Sequence, residues 1–106
     1  MSAIAPTPEP PYVAVIFTAV RTGEDDAGYL DADADMEKLA AEQPGYLGIE
    51  GGLGMTVSYW ATEDDARAWK AVADHAAVQR LGRERWYAAY KVRVARVERD
   101  YGWSRP

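Results

Sequence analysis

The 106-residue chain contains no cysteine, no asparagine and a single histidine, His75. Without cysteine, the chain has no disulfide bonds, no thiolate nucleophile and no cysteine-ligated zinc or iron–sulfur centre. With only one histidine, a transition-metal site built from protein side chains is not expected either. We therefore expect any chemistry of this protein to proceed without a bound metal.

The chain also lacks a long apolar run and an excess of basic residues. No segment approaches the roughly 20 apolar residues that cross a bilayer, and the first residues, MSAIAPTPEPP, have neither the basic nor the apolar region of a signal peptide. The formal net charge of −5 argues against a nucleic-acid partner, because such binders concentrate Lys and Arg on one face. We therefore expect a cytoplasmic protein that binds neither membranes nor nucleic acids.

Aromatic residues, by contrast, are abundant. The chain has four Trp and seven Tyr, and 48% of its residues are hydrophobic. Such residues fill cores, line ligand pockets and anchor interfaces. The length favours one domain. Residues 1–11 contain four prolines and no periodic pattern, so we predict a flexible or extended tail followed by a single domain over residues 12–106.

Hydrophobic periodicity divides this domain into six elements. Strands are predicted where β-branched and aromatic residues cluster or alternate, and helices where apolar residues recur at three- and four-residue steps. The predicted elements are a strand at 12–20, a helix at 27–42, strands at 46–50 and 53–60 joined by a Gly51-Gly52 turn, a helix at 63–73 with helical structure continuing over 74–81 to Gly82, and a strand at 86–99.

This order, β-α-β-β-α-β, predicts an α+β, ferredoxin-like fold with two helices on one face of a four-stranded antiparallel sheet. The other face is also predicted to be apolar, from residues such as Tyr12, Ile16, Trp60 and Tyr90, and the chain supplies no cover for it. The last predicted strand is much longer than average. Both features indicate that a second copy of the chain packs on this face, which makes the protein a homodimer.

Trp69, His75 and Trp86 form the one candidate chemical site. His75 titrates near neutrality and suits acid–base chemistry, and the two Trp rings offer a flat apolar wall. In the alternative interpretation, both Trp belong to the core and His75 satisfies a helix end. On a continuous helix His75 would lie about 120° around the axis from Trp69, so the two share a pocket only if the helix bends or breaks near Asp74.

An acidic repeat on the first helix resembles a calcium loop. Asp31, Asp33 and Asp35 alternate, and Glu42 stands at the twelfth position. A calcium loop needs glycine at its sixth position, where this chain has Met36. We therefore interpret the repeat as the solvated acidic face of an amphipathic helix.

Several runs of the sequence together resemble the antibiotic biosynthesis monooxygenase-like proteins, over about residues 12–101. These runs are YVAVIFTAV, QPGYLGIE, VSYW (57–60), AWK (68–70), His75, GRERWY (82–87) and VRVARVERDY (92–101). The resemblance implies a dimeric α+β barrel, in which two sheets face each other and the last strand reaches over the partner.

The resemblance also implies an activity. Some relatives are cofactor-free oxygenases of electron-rich polycyclic phenols or anthrones, whereas others degrade haem with an Asn, a Trp and a haem-ligating His. Trp69 matches that Trp, Gln79 stands where the ligating His is expected, and this chain has no Asn. The resemblance therefore favours cofactor-free oxygenation over haem degradation.

The resulting hypothesis is a cofactor-independent monooxygenase that acts on a small aromatic or polycyclic substrate. His75 would be the base beside Trp69, and Tyr59 or Tyr90 would donate a hydrogen bond to the developing oxyanion. Trp86, Tyr90 and Trp60 would bind the substrate, and no metal or flavin is required. The alternative is a non-catalytic dimer that binds a small ligand or serves a structural role.

Overall fold

The structure, a computed structural model, describes residues 4–76 and 82–106. It contains, in chain order, β1 (Tyr12–Arg21), α1 (Asp26–Ala41), β2 (Tyr46–Gly52), β3 (Met55–Trp60), α2 (Glu63–His75), a π-helical turn (Gly82–Trp86) and β4 (Tyr87–Val97). The strands form one sheet in the order β2-β3-β1-β4, and all neighbouring strands are antiparallel. The predicted ferredoxin-like α+β fold is therefore confirmed.

Both helices begin at side-chain caps that the local sequence supplies. Asp25 precedes α1 in a left-handed conformation (φ 52°), and its carboxylate accepts a hydrogen bond from the backbone N–H of Gly28 at 3.2 Å. Thr62 precedes α2, and its hydroxyl accepts a hydrogen bond from the N–H of Asp65 at 3.1 Å. Such caps satisfy N–H groups that have no partner within the helix.

The core lies between the sheet and the two helices. Its centre is Trp60, whose exposed fraction is 0%, packed with Val13 of β1, Ala40 of α1 and Ala66 of α2. The small alanines let the helices approach the large indole ring closely, which is how a short chain fills this space. Trp60 thus fixes the separation between the sheet and the helices.

The hairpin turn between β2 and β3 lies two residues later than predicted. Gly52 pairs with Met55, so the two turn residues are Leu53 and Gly54 and not Gly51-Gly52. Both have positive φ, 54° and 81°, as a tight two-residue hairpin requires. Gly51 and Gly52 instead extend β2, because the register of the sheet decides where the strands end.

Two aromatic residues face the opposite way from the prediction. Trp60 pairs directly with Val13, and Tyr90 pairs with Ala19, so both lie on the helix-covered face of the sheet. Tyr12 and Ile16, with the opposite parity along β1, lie on the outer face. Directly paired residues share a face of the sheet and successive residues alternate, so only the register could settle this assignment.

The segment around His75 also differs from its prediction. Helix α2 ends at His75, and Ala76 is extended with ψ 132°, so the predicted helical run over 74–81 stops at its second residue. The rest of that run, residues 77–81, lies outside the described residues. Gly82 begins the π-helical turn, and this turn includes Trp86, which was predicted to begin the last strand.

The N-terminal segment runs over one end of the outer face without regular secondary structure. Ala5 is buried, and its N–H donates a hydrogen bond to the Glu50 carboxylate at 2.8 Å. The Thr7 hydroxyl lies 3.2 Å from the hydroxyl of Tyr12. The flexibility of the tail remains a prediction. Among the residues that the structure describes, no helix is long and apolar enough to cross a membrane.

Candidate functional site

A cavity of about 300 Å³ lies between the inner face of the sheet and the two helices. This volume is at the lower end of the range for small-molecule sites. Its walls are mainly apolar and aromatic, with a few polar groups from α1, α2 and β3. The residues that line it include Phe17, Tyr29, Asp33, Glu37, Ser58, Arg67, Trp69, Lys70, Asp74, Trp86, Tyr87 and Tyr90.

One end of the cavity is built from aromatic rings in mutual contact. Phe17 stacks on Tyr90 with ring centroids 5.2 Å apart, and it meets Tyr87 edge-on at 5.4 Å. Tyr29 of α1 lies edge-on to both Tyr87 and Trp86, at 6.0 and 6.1 Å. Offset and edge-on arrangements of this kind are the favourable ones. They hold the rings in place, so this wall is ordered before any ligand arrives.

Trp86 joins this wall because its turn is fastened to the loop between β1 and α1. The carbonyl of Trp86 accepts hydrogen bonds from the N–H of Thr22 at 2.9 Å and from Nε of Arg21 at 3.1 Å. Its indole Nε1 donates to the Asp25 carboxylate at 3.4 Å, and the guanidinium of Arg85 lies 3.5 Å from the same carboxylate. The Asp25 carboxylate therefore has two roles: it caps α1, and it orients the indole ring of Trp86.

Trp69 of α2 also lines the cavity, and its ring is supported by Trp60 of β3. Its ring stacks on Trp60 with centroids 5.6 Å apart and an angle of 19° between the planes. Trp60 is held in turn, because its Nε1 donates a hydrogen bond of 2.9 Å to the buried hydroxyl of Ser58. The surface that Trp69 offers to a ligand is thus fixed by two residues of β3.

The structure brings some of the predicted site residues together and separates others. Trp69, Trp86 and Tyr90 all line the cavity. Trp60 lies under Trp69, fully buried, and acts on the cavity only through it. The remaining two predicted residues, His75 and Tyr59, are not among the residues that line it.

His75 stands at the last position of α2 and is exposed. Its Nδ1 lies 3.0 Å from the carbonyl oxygen of Ala71, one turn earlier on the helix. Helix α2 runs without interruption from Glu63 to His75 and ends there, and this end does not bring His75 into the cavity that Trp69 lines. The position of His75 therefore matches the alternative interpretation, in which it satisfies a helix end. Haem ligation by His75 inside the cavity has no support in this geometry.

Tyr59 lies on the outer face of the sheet, one residue out of phase with Ser58 and Trp60. Its hydroxyl donates a hydrogen bond of 2.6 Å to the Glu50 carboxylate of the neighbouring strand. Burial raises the pKa of Tyr59, and the bond to Glu50 raises it further. Tyr59 is thus engaged in a contact that stabilises the sheet, with the whole sheet between it and the cavity.

Asp33 is a polar cavity residue that was not among the predicted site residues. It was assigned to a solvated acidic face, but only Asp31 and Asp35 are exposed, and Asp33 is half-buried against the cavity. Its spacing carries the signal that could have found it, because Asp33 lies four residues after Tyr29 and three before Met36, both on the buried stripe. Partial burial raises the pKa of Asp33, and the neighbouring carboxylate of Glu37 raises it further.

The hydroxyl of Tyr87 at the aromatic end stays protonated. Burial raises the pKa of Tyr87 strongly, and the nearby Tyr29 and Asp33 raise it further. A phenol in this state is a hydrogen-bond donor at every physiological pH. The cavity thus combines an apolar wall, a carboxyl group with a raised pKa and an O–H donor.

The acidic repeat does not form a metal site. Residues 31–41 are helical, part of α1, so the calcium-loop interpretation has no turn to support it. Over residues 4–76 and 82–106, no three His, Cys, Asp or Glu side chains are grouped so that they could hold a metal ion.

Comparison with other proteins identifies one close relative and several distant structures. No family model matches the chain. The uncharacterized protein YqjZ of Bacillus subtilis is 46% identical over 105 residues, which span 94% of this chain and 91% of that protein. A solved structure named "Putative antibiotic biosynthesis monooxygenase from Nitrosomonas europaea" superposes with a TM-score of 0.56 and 21% identity, covering 85% of this chain and 92% of that one.

A NIPSNAP domain protein from Burkholderia xenovorans superposes with a TM-score of 0.49 and 13% identity, covering 87% of this chain and 99% of that one. The Nitrosomonas structure shares the α+β, ferredoxin-like fold of this chain, whereas the dimeric barrel that the sequence resemblance implies stays a prediction.

Proposed function

The chain belongs to the family of the Bacillus subtilis protein YqjZ, and we propose that it is a cofactor-independent monooxygenase for a small, flat aromatic substrate. The observation that carries this proposal is the aromatic cavity between the sheet and the helices. Its fold is shared with the monooxygenase-like structure from Nitrosomonas europaea.

The walls of the cavity suit a planar ligand. The rings of Trp69, Trp86, Tyr87 and Tyr90 all line it, and a fused aromatic system packs favourably against such rings. The volume of about 300 Å³ limits the ligand to a few fused rings. Polar groups are few, so they would fix the orientation of a bound ligand rather than supply most of its affinity.

The proposed reaction oxidises an activated CH₂ group to a ketone. A base removes one proton, and the carbanion, stabilised by the aromatic system, reacts with O₂ to give a peroxide. The peroxide takes up a proton and loses water, so the balance is R₂CH₂ + O₂ → R₂C=O + H₂O. The substrate supplies all four electrons. The protein orients the substrate, removes the proton and excludes bulk water.

The test is a panel of anthrones, quinols and haem, with oxygen uptake and absorbance as readouts. We expect saturable binding of at least one tricyclic anthrone and oxygen consumption beyond its spontaneous rate. Trp69→Ala should weaken binding about two- to tenfold, the equivalent of one lost aromatic contact. Trp103→Ala is the matched control, because Trp103 is 77% exposed and does not line the cavity.

Each other result assigns the cavity differently. Binding without oxygen uptake would favour the non-catalytic alternative, a small-ligand-binding dimer. A shifted haem Soret band would support haem as the ligand. Equal affinities of the Trp69→Ala and Trp103→Ala variants for the anthrone would remove the cavity from the proposal.

We also propose that the protein is a homodimer that covers the outer face and the free edge of the sheet. β4 is an edge strand in which only the first and last residues are partly buried. Val20 and Met55 on the outer face have exposed fractions of 61% and 44%. An uncovered edge and an apolar face favour association. Sedimentation equilibrium at micromolar concentration should give the mass of two chains, and a stable monomer would contradict this proposal.

A further inference from the structure

We propose that the carboxylate of Asp33 is the general base of the reaction, the role that the sequence pattern had given to His75. This inference rests on the proposed function, because it assigns a proton acceptor to the same cavity. It concerns one named residue of α1 that the resemblance to known oxygenases did not single out.

The carboxylate of Asp33 lies at the cavity and not in solvent. Asp33 lines the cavity and is half-buried, whereas Asp31 and Asp35, two residues to either side, are exposed and are not among the lining residues. With the residues 4–76 and 82–106, Asp33 forms neither a hydrogen bond nor an ion pair. Among these described residues, none therefore competes with a bound ligand for the oxygens of Asp33.

Several charged and titratable side chains line the cavity together with Asp33. Glu37 and Tyr29 on the same helix, Tyr87 from β4, and Arg67, Lys70 and Asp74 from α2 line the same cavity. Lys70 is occupied by its ion pair with Asp74, and Arg67 by its ion pair with Glu63. Partial burial raises the pKa of Asp33 and the neighbouring carboxylate of Glu37 raises it further, whereas the positive charge of the chain's N-terminal amino group lowers it in part. A carboxylate with a raised pKa is a stronger base.

In the described part of the chain, the other candidate bases are less suited to the role than Asp33. His75 is the one histidine, and it lies exposed at the end of α2 with Nδ1 beside a backbone carbonyl. Glu63 and Asp74 reach the cavity but are paired with cations. Of the remaining acids, Asp33 and Glu37 border the cavity, and Asp33 is the nearer to the aromatic end along α1, since it follows Tyr29 by about one helical turn and Glu37 follows it by about two.

Asp33 takes up one proton and returns it, so its carboxylate is regenerated in each turnover. The carboxylate takes a proton from the activated CH₂ group and becomes a neutral carboxylic acid, leaving a carbanion whose charge spreads onto the substrate oxygen. The O–H of Tyr87 donates a hydrogen bond towards that oxygen. After the carbanion has added O₂, the carboxylic acid of Asp33 returns its proton to the peroxide, which then loses water. Asp33 ends as the carboxylate with which it began.

The experiment separates proton removal from oxygen chemistry. Anthrone is titrated into the protein without oxygen, and the absorbance of its conjugate base reports ionisation of the bound ligand. The wild-type protein should ionise bound anthrone at a pH at which the free compound stays neutral. Asp33→Asn should bind anthrone but leave it neutral, and in air should lower turnover by about 10²- to 10⁴-fold, the usual contribution of a general base. Asp35→Asn, an equal charge change on the same helix, and His75→Gln should behave as the wild type.

The outcomes distinguish the two proposals. Ionisation in the wild type but not in Asp33→Asn, with no oxygen uptake in either, would support Asp33 as the base and reject the oxygenase. Oxygen uptake that Asp33→Asn retains in full would reject Asp33 and leave the oxygenase intact. If Asp33→Asn fails to fold, Asp33→Glu, which keeps the carboxylate, must show ionised anthrone, and a neutral ligand in that variant would overturn the inference. Loss of ionisation in His75→Gln alone would return the role to His75.

Discussion

The hydrogen bond between Trp60 and Ser58 gives the sharpest test of how the cavity wall is supported. Both side chains are buried, with exposed fractions of 0% and 5%, and Nε1 of Trp60 lies 2.9 Å from Oγ of Ser58. Trp60→Phe keeps an aromatic ring but removes the donor and part of the ring volume. We expect a loss of about 2–4 kcal/mol in the free energy of unfolding, from the unpaired hydroxyl and the space left behind.

Ser58→Ala removes the acceptor instead. It leaves the indole N–H buried without a partner, which costs about 1–3 kcal/mol. When both residues are replaced, neither polar group is left unpaired. The double variant should therefore be more stable than the sum of the two single losses predicts, by about 1–2 kcal/mol.

The assay is urea unfolding followed by far-UV circular dichroism, since one substitution removes a fluorophore. All four proteins are compared at one protein concentration, because association changes the apparent stability. The same loss should appear as a drop in melting temperature of about 4–8 °C per kcal/mol. Strictly additive losses would show that the bond contributes nothing. Anthrone affinity is measured in parallel, and an unchanged affinity in Trp60→Phe would refute the role of Trp60 in holding the ring of Trp69.

Three further predictions concern other parts of the chain. Folding raises the pKa of Asp33, so the contribution of its protonation to stability is fully present below its ordinary pKa of 3.8 and is lost as pH rises through the raised value. The Asp33→Asn variant should therefore gain stability relative to the wild type as pH rises. A difference in melting temperature that stays constant with pH would contradict this. Asp25→Ala should cost about 1–3 kcal/mol by removing a cap and placing alanine at φ 52°, whereas Asp25→Gly should cost less in the same urea titration. Tyr59→Phe should lose about 1–2 kcal/mol with its bond to Glu50 but leave anthrone affinity unchanged, since that bond lies on the outer face; a weakened affinity would place Tyr59 in the site after all.

The similarity to YqjZ extends the cavity proposal to a second protein. At 46% identity over nearly the whole of both chains, the two proteins belong to one family. The cavity proposal therefore predicts that YqjZ carries an equivalent aromatic wall, which its own structure would test. The Nitrosomonas structure, at 21% identity, supports the fold alone.

The sequence by itself determined the order of elements and most of their bounds. Local signals were sufficient there: the apolar run of β1, the three- and four-residue spacing on α1, the Thr62 cap of α2 and the Gln43-Pro44-Gly45 stop each act over a few residues. The placement of Trp69 and Trp86 on the cavity was also predicted, because a large aromatic residue beside a buried stripe has few other places to lie.

Tertiary structure alone decided which face each strand residue occupies and which polar group meets the cavity. Trp60 and Tyr90 changed faces because a shift of one residue in strand register moves every side chain to the other side of the sheet, and no local pattern fixes that register. His75 and Asp33 exchanged their expected places for a related reason. Whether a polar side chain at the flank of a helix is solvated or buried depends on what packs across from it. For Asp33, the cavity that it lines has an aromatic wall of Tyr87 and its neighbours, and the residues of this wall come from distant parts of the chain.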